Sequence, residues 1–335
     1  MSKVSPTLGD MLESYFRRRL ITQQRASIET IRGYRDALRL LVIFVAEQLQ
    51  TAPERLSIQD LDRDVILAFL DHLEDFRHNC VRTRNNRLAA IRAFMQYVAY
   101  MDPGALGVVQ RVLAIPNKKY VKPILGYLTR EELDVLLNVP DQATRQGRRD
   151  HALLLFFART GARVSEAVRV NAVDICLNSP CQVLLHGKGM RDRSTPVATD
   201  LVAALRSLYE ERRITTSDNV PVFVSATGQR LTRYGVTHMI RRMVATAAER
   251  NSSIAGRKIT PHTLRHTTAM HMLQSGVDLN MIRCWLGHVS LDTTHHYIEA
   301  DVEMKRRALE QSGVVAPRQA RYQQTDRILT ILENL

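Results

Sequence analysis

Between Ile115 and Gly126 the chain reads Ile-Pro-Asn-Lys-Lys-Tyr-Val-Lys-Pro-Ile-Leu-Gly and loses its hydrophobic periodicity. Such a Pro- and Lys-rich stretch opposes both a continuing helix and a buried strand. It therefore reads as a basic linker, residues 115–127, that divides the fold. Upstream, apolar residues recur at helical spacing from Ile28 to Leu49 (Ile31, Tyr34, Leu38, Leu41, Val45) and from Asp64 to Leu73 (Ile66, Leu67, Phe69, Leu70). A third stripe, Leu88, Ile91, Met95 and Val98, runs from Arg84 to Met101 and is edged by Arg87 and Arg92. No strand-like alternation interrupts them, and Asp102-Pro103-Gly104 ends the run. Residues 1–114 are expected to form a small all-helical domain.

Downstream the pattern is mixed. Thr129 and Glu132 spell a capping box, and Leu128 with Leu133 can form the hydrophobic staple across it, so a second domain is expected over 128–311. An apolar helix from Asp150 to Arg159 meets a break at Thr160-Gly161, and another helix begins at Val164. Val183–Leu185 and Thr195–Ala198 read as short strands flanking a Gly-Lys-Gly turn, with Val222–Val224 a further strand. Leu231 to Glu249 is helical again. Thr260 caps a helix with Pro261 at its first position and Gly276 as its stop. A short helix runs through Leu286 and ends at Gly287, and Ser290 can cap one more that carries Tyr297. The expected fold class is mainly α with a small antiparallel β element, a helical domain followed by an α+β domain.

After a helix from Glu299 to about Gln311, residues 312–335 form a tail. Ser312 to Pro317 is flexible in composition, and Ile328, Ile331, Leu332 and Leu335 recur at helical spacing. So short a helix is unstable alone in water and must dock, on its own domain or on a neighbouring subunit that the preceding linker would let it reach.

Length and charge bound the function. At 335 residues the chain can build two cores. Its longest apolar runs, Leu40–Ala46 and Ala152–Ala158, are about a third of a membrane span, and the N-terminus lacks the apolar core of a secretory signal. Four cysteines without a Cys-x-x-Cys pair suit reduced thiols in a cytoplasmic protein. A net charge of +13 attracts polyanions, and nucleic acid is the commonest one inside cells. Arginine clusters (Arg17–Arg19, Arg82–Arg87, Arg241–Arg242, Arg306–Arg307) recur along the chain, which fits a surface wrapped round a duplex better than a basic tail.

Six residues could act on a phosphodiester. Arg163 stands at a helix start in Thr-Gly-Ala-Arg-Val-Ser-Glu, with Glu166 placed to orient it. Arg265 lies three residues after His262, so both project from one face of the helix that begins at Thr260. Guanidiniums can bond two phosphate oxygens at once and never deprotonate. Tyr297 would be a nucleophile, but its ordinary pKa of about 10 calls for a base, and His262 is the candidate. Lys188, between Gly187 and Gly189 at the hairpin tip, could protonate a departing 5′-oxygen, and His288 could add a hydrogen bond to the phosphoryl oxygens. Taken singly, each of these is an ordinary surface or core feature. The histidines do not spell a zinc site: no His-Glu-x-x-His occurs, and no cysteine spacing completes four ligands.

Together, Thr160–Ala167 (TGARVSEA), Leu185–Val197 (LHGKGMRDRSTPV), Thr260–Ala269 (TPHTLRHTTA) and Leu286–Tyr297 (LGHVSLDTTHHY) resemble the tyrosine recombinase family, the phage integrases and Xer-type recombinases. The resemblance covers about Leu128 to Ala300, while the N-terminal residues match only in type, as a helical core-binding domain. It implies Arg163 and Arg265 as phosphate clamps, Lys188 as general acid and His262 as proton acceptor. It further implies His288 as the residue that is His or Trp in relatives, and Tyr297 as the nucleophile forming a 3′-phosphotyrosine. None of the six departs from the pattern, although His295-His296 before Tyr297 is less usual.

The implied partners are double-stranded DNA recombination sites and a homo-tetramer on synapsed DNA, with related recombinase subunits as an option. No cofactor, metal, membrane or small-molecule substrate is implied. The expected function is a site-specific recombinase of the nucleoid that integrates and excises a mobile element. Alternatives are Xer-like resolution of chromosome or plasmid dimers, relaxation of supercoils in the manner of a type IB topoisomerase, and a non-catalytic DNA-binding accessory role.

Overall fold

Thr7 starts the first helix, α1 (Leu8–Ser14), by accepting the Asp10 backbone N–H while the Asp10 carboxylate accepts that of Thr7. The structure, a computed structural model, describes residues 7–120, 126–187 and 192–287. It separates into two units, Met1–Lys122 and Pro123–Leu335.

In the first unit α1 widens into a π-helical stretch, Tyr15–Gln23. The widening decides what faces inward. Met11 and Tyr15 are buried four apart, but the next buried residue is Leu20, five further on, and Arg17, Arg18 and Arg19 stay in solvent. Tyr15 packs edge-on against Phe94, with ring centroids 5.5 Å apart, and the Ser14 and Tyr97 hydroxyls share a 2.7 Å hydrogen bond.

Helices α2 (Ile28–Gln48), α3 (Arg63–Asp75), α4 (Val81–Met101) and α5 (Leu106–Leu113) complete the unit. Their apolar stripes meet as one core in which Ile66, Leu70, Leu73, Leu88, Ile91, Phe94 and Val98 are fully buried. Beyond α5, Ile115 is buried in the same core. The Arg92 guanidinium donates to its carbonyl, and Asn85 Nδ2 donates to the Lys118 carbonyl at 2.8 Å.

The second unit begins on the Thr129–Glu132 capping box of α6 (Arg130–Leu137), with Leu128 and Leu133 buried in one cluster. Next comes α7 (Arg145–Thr160), which starts five residues before the expected Asp150 because Thr144 caps it through the Gly147 N–H. It ends at Gly161, in the left-handed region at φ +60°, where an added Cβ would lie 2.5 Å from the Leu286 side chain. Helix α8 (Val164–Arg169) follows.

Three antiparallel strands, β1 (Ile175–Cys176), β2 (Gln182–Leu185) and β3 (Arg193–Pro196), lie in that order, with Val183 opposite both Ile175 and Thr195. The expected strand at Val222–Val224 does not form. Val224 makes only an isolated bridge to Arg230 and Pro221 one to Asn171, and Pro221 has no N–H to extend a ladder.

Helices α9 (Thr199–Arg212), α10 (Arg233–Arg250), α11 (Pro261–Gln274) and α12 (Leu279–Leu286) close the described fold. Thr260 caps α11, Gly276 (φ +83°) follows its end, and Gly287 (φ +64°) terminates α12. Ala269, Met270 and Leu273 of α11 pack with Ile282 and Leu286 of α12. No helix among the described residues is long and apolar enough to cross a membrane. The expected Tyr297 helix, the Glu299–Gln311 helix and the 312–335 tail lie outside the described residues.

Candidate active site

A helix leaves its last carbonyls without intrahelical donors, and α12 ends on three such groups in succession, those of Trp285, Leu286 and Gly287. Each is taken by a different arginine. Arg193 Nε donates to the Trp285 carbonyl at 2.8 Å, Arg265 Nη2 to that of Leu286 at 2.5 Å, and Arg163 Nη2 to that of Gly287 at 3.0 Å. Those arginines come from β3, from the second turn of α11 and from the residue that opens α8. Arg265 is buried, and its Nη1 also donates to the Gly161 carbonyl at 2.7 Å, so one guanidinium ties the end of α7 to the end of α12.

Glu166 organises the other two. Its carboxylate accepts the Arg163 backbone N–H and Nη1, both at 2.7 Å, and a two-pronged pair from Arg193 at 2.9 and 2.8 Å. Burial alone would push the Glu166 carboxyl up. The Arg193 fork, with help from Arg163, outweighs it and holds the group down at about 2. Glu166 is therefore a buried anion between two cations, and it orients Arg163 as the sequence suggested.

Two of the six predicted residues, Arg163 and Arg265, are brought to consecutive carbonyls immediately before His288. A third, His262, is exposed in the first turn of α11, three residues before Arg265. Lys188, His288 and Tyr297 lie outside the described residues. Sequence reasoning passed over Arg193. On β3 it alternates with the fully buried Thr195, which puts the arginine on the inward face of the strand. Farther back, α11 secures α7, since Thr268 Oγ1 donates to the Ala158 carbonyl at 3.0 Å.

Comparisons with known proteins bear on this arrangement. The profile described as Phage integrase family matches residues 126–304, and that of the phage integrase N-terminal SAM-like domain matches residues 12–100. Two Sinorhizobium fredii proteins named integrase/recombinase are similar. One, y4rD, is 50% identical over 272 residues, covering 81% of this chain and 96% of the relative. The other, y4rC, is 40% identical over 329 residues, 98% of each. A tyrosine recombinase XerC of Chlamydia caviae is 32% identical over 238 residues, covering 69% of this chain and 72% of that protein. In fold, the Tn1549 transposon integrase in complex with transposon right-end DNA matches with a TM-score of 0.70 at 15% identity, over 92% of this chain and all of that one.

Proposed function

The chain belongs to the phage integrase family and is a tyrosine recombinase, an enzyme of DNA strand cleavage and rejoining, and on that premise we propose how its six residues divide the chemistry. Arg163 and Arg265 hold the non-bridging oxygens of one scissile phosphate. Tyr297 attacks the phosphorus, giving up its phenolic proton to His262. The bond to the 5′-oxygen breaks as Lys188 protonates it, leaving a 3′-phosphotyrosine and a free 5′-hydroxyl. His288 hydrogen-bonds the phosphoryl oxygens as charge shifts. Rejoining reverses these steps, the bond energy kept in the tyrosyl link removes any need for ATP, and the cationic side chains supply the charge stabilisation that a metal could otherwise give.

The observation that carries this reading is the gathering of Trp285, Leu286 and Gly287 by Arg193, Arg265 and Arg163. The chain leaves that cationic turn directly into His288, and Tyr297 is nine residues further on. In domain terms, residues 1–114 are the DNA-binding domain, 115–127 the linker and 128–311 the catalytic domain, and the tail 312–335 docks on its own domain or on a neighbouring subunit.

Double-stranded DNA is the substrate, which the net charge of +13 supports. The working assembly is a homo-tetramer on two synapsed sites at the nucleoid. Integration and excision of a mobile element is the favoured role, since both Sinorhizobium relatives carry the integrase/recombinase name. The XerC relative supports dimer resolution as the second reading.

Incubation with a pool of nicked duplexes and no metal should capture a covalent protein–DNA adduct, and Tyr297→Phe should abolish it. An undiminished adduct with Tyr297→Phe would remove Tyr297 from the chemistry. Sequencing the captured duplexes and finding them at element ends rather than at a chromosomal resolution site would favour the mobile-element role.

A further inference from the structure

His186 directly follows β2, two residues before Lys188 in the sequence. Its two ring nitrogens meet two carboxylates from different places. Nδ1 lies 2.9 Å from Asp192 Oδ2, just before β3, and Nε2 lies 3.1 Å from Asp174 Oδ1, just before β1. An ionised carboxylate can only accept, so both bonds form only when the imidazole carries two protons.

Neither carboxylate is loose. The other oxygen of Asp174 accepts the Asn171 backbone N–H at 2.8 Å, and its side chain is mostly buried. Asp192 directly precedes Arg193, whose guanidinium is fixed on Glu166 and the Trp285 carbonyl. His186 thus joins the end of β2 to Asp192, the residue before Arg193, and so to the network that holds Arg163.

We propose that His186 is a positioning residue, whose cation bridges Asp174 and Asp192 across the base of the β2–β3 turn and so sets where Lys188 is presented to the leaving oxygen. This rests on the reading of Lys188 as the general acid. Only Lys188 exchanges a proton with substrate. As the phosphorus–O5′ bond breaks, its ammonium gives that proton to the 5′-oxygen, and the amine recovers it during rejoining.

The bridge is sensitive to pH. The charged groups facing His186 are Asp192 and Asp174, and behind Asp174 stands the Tyr209 phenol, which feels that carboxylate's charge. Hydrogen bonds from Asp192 and then Asp174 raise the imidazole above its ordinary range. While both carboxylates are ionised the bridge is therefore complete below the ordinary imidazole range, and one of its two bonds is lost as pH rises through the raised value.

The test uses the duplex captured by the wild-type chain, remade with either oxygen or sulfur bridging the scissile phosphorus to the 5′-carbon. A sulfur leaving group departs as a thiolate and needs no general acid, since thiols have pKa near 8.5. His186→Gln is expected to slow adduct formation on the oxygen duplex by about ten-fold, part of the ~10²–10⁴-fold that a general acid supplies. It should match the wild type on the sulfur duplex. His186→Arg keeps two donors without titrating, and should retain the wild-type rate on oxygen while losing its alkaline fall. Equal slowing of His186→Gln on both duplexes, or no slowing on either, would overturn the inference.

Lys188→Ala separates the two claims. If sulfur rescues Lys188→Ala but not His186→Gln, only the positioning role fails. If sulfur does not rescue Lys188→Ala, the general-acid reading fails and the inference goes with it.

Discussion

The two units of this chain bury different things. Among the described residues the first unit buries one charged side chain, Arg84, within a core that is otherwise apolar and aromatic. The second buries Glu132, Asp150, Glu166, Arg265 and His266, together with several threonines. Burying charge costs free energy unless each group is paired and hydrogen-bonded, so the second unit gives up stability that the first keeps. In return its charges fix geometry. Glu132 holds the Arg257 guanidinium at 2.7 and 2.8 Å and caps α6 as well, while Glu166 locks Arg163 to Arg193. The first unit is a scaffold with arginines on its outside, and the second is a frame for aiming them inward.

Substitutions can break that contrast. The largest effect is expected at Arg265, where Ala should lower single-turnover cleavage by about 10³-fold, as loss of a preorganised charge-stabilising donor does, while DNA affinity stays near that of the wild type. Filter binding beside adduct kinetics would check it. If affinity falls in step with cleavage, the second unit is a binding surface rather than an aiming frame.

Phe94→Ala should cost about 3–5 kcal/mol by emptying the first unit's core. Hydrogen exchange would show it as faster opening of α2 to α4 with α7 and α11 protected. Exchange that quickens equally in both units would merge them energetically.

Glu166→Gln comes next, at about 3 kcal/mol, because it leaves two guanidiniums with an uncharged partner. Its pH dependence has a definite sign. The folded carboxyl lies near 2, below the ordinary 4.5. Its contribution is therefore complete above the ordinary value and disappears as pH falls from there towards 2. The second unit of the wild type should therefore lose stability as pH falls from 4.5 towards about 2, while the variant, already less stable at neutral pH, should show a flatter acid limb over the same interval. A wild-type limb that is already flat between those values would contradict the buried pairing.

The smallest effect belongs to Glu13→Ala. It breaks a pair with Arg17 in which both side chains are more than half exposed, so no resolvable change in Tm is expected.

Local chemistry made much of the framework legible. Thr129 with Glu132, Thr260 with Pro261, and the glycines at 161, 276 and 287 each act within one helical turn, so their neighbours in sequence reveal them. Boundaries failed where a weaker local signal decided, as with Thr144 at the start of α7. The two-residue β1 carries too little pattern to be read alone, and Pro221 is what stops the expected strand at 222. Arg193 was missed for a different reason. Its partners, Glu166 and Trp285, are 27 and 92 residues away, and no periodicity links them. The same holds for Arg163 and Gly287, 124 residues apart. Residue type and local context were enough to nominate Arg163 and Arg265, but their shared target at the end of α12 came only from the fold.

On the proposed reading, Arg163 and Arg265, held on consecutive carbonyls at the end of α12, act as one unit on one phosphate. The direct measurement is single-turnover adduct formation at saturating DNA for Arg163→Ala, Arg265→Ala and the double variant. Groups acting together lose most of their effect at the first removal, so the double variant should be little slower than the slower single one. If the two losses simply multiply, the arginines act independently and the common clamp is wrong.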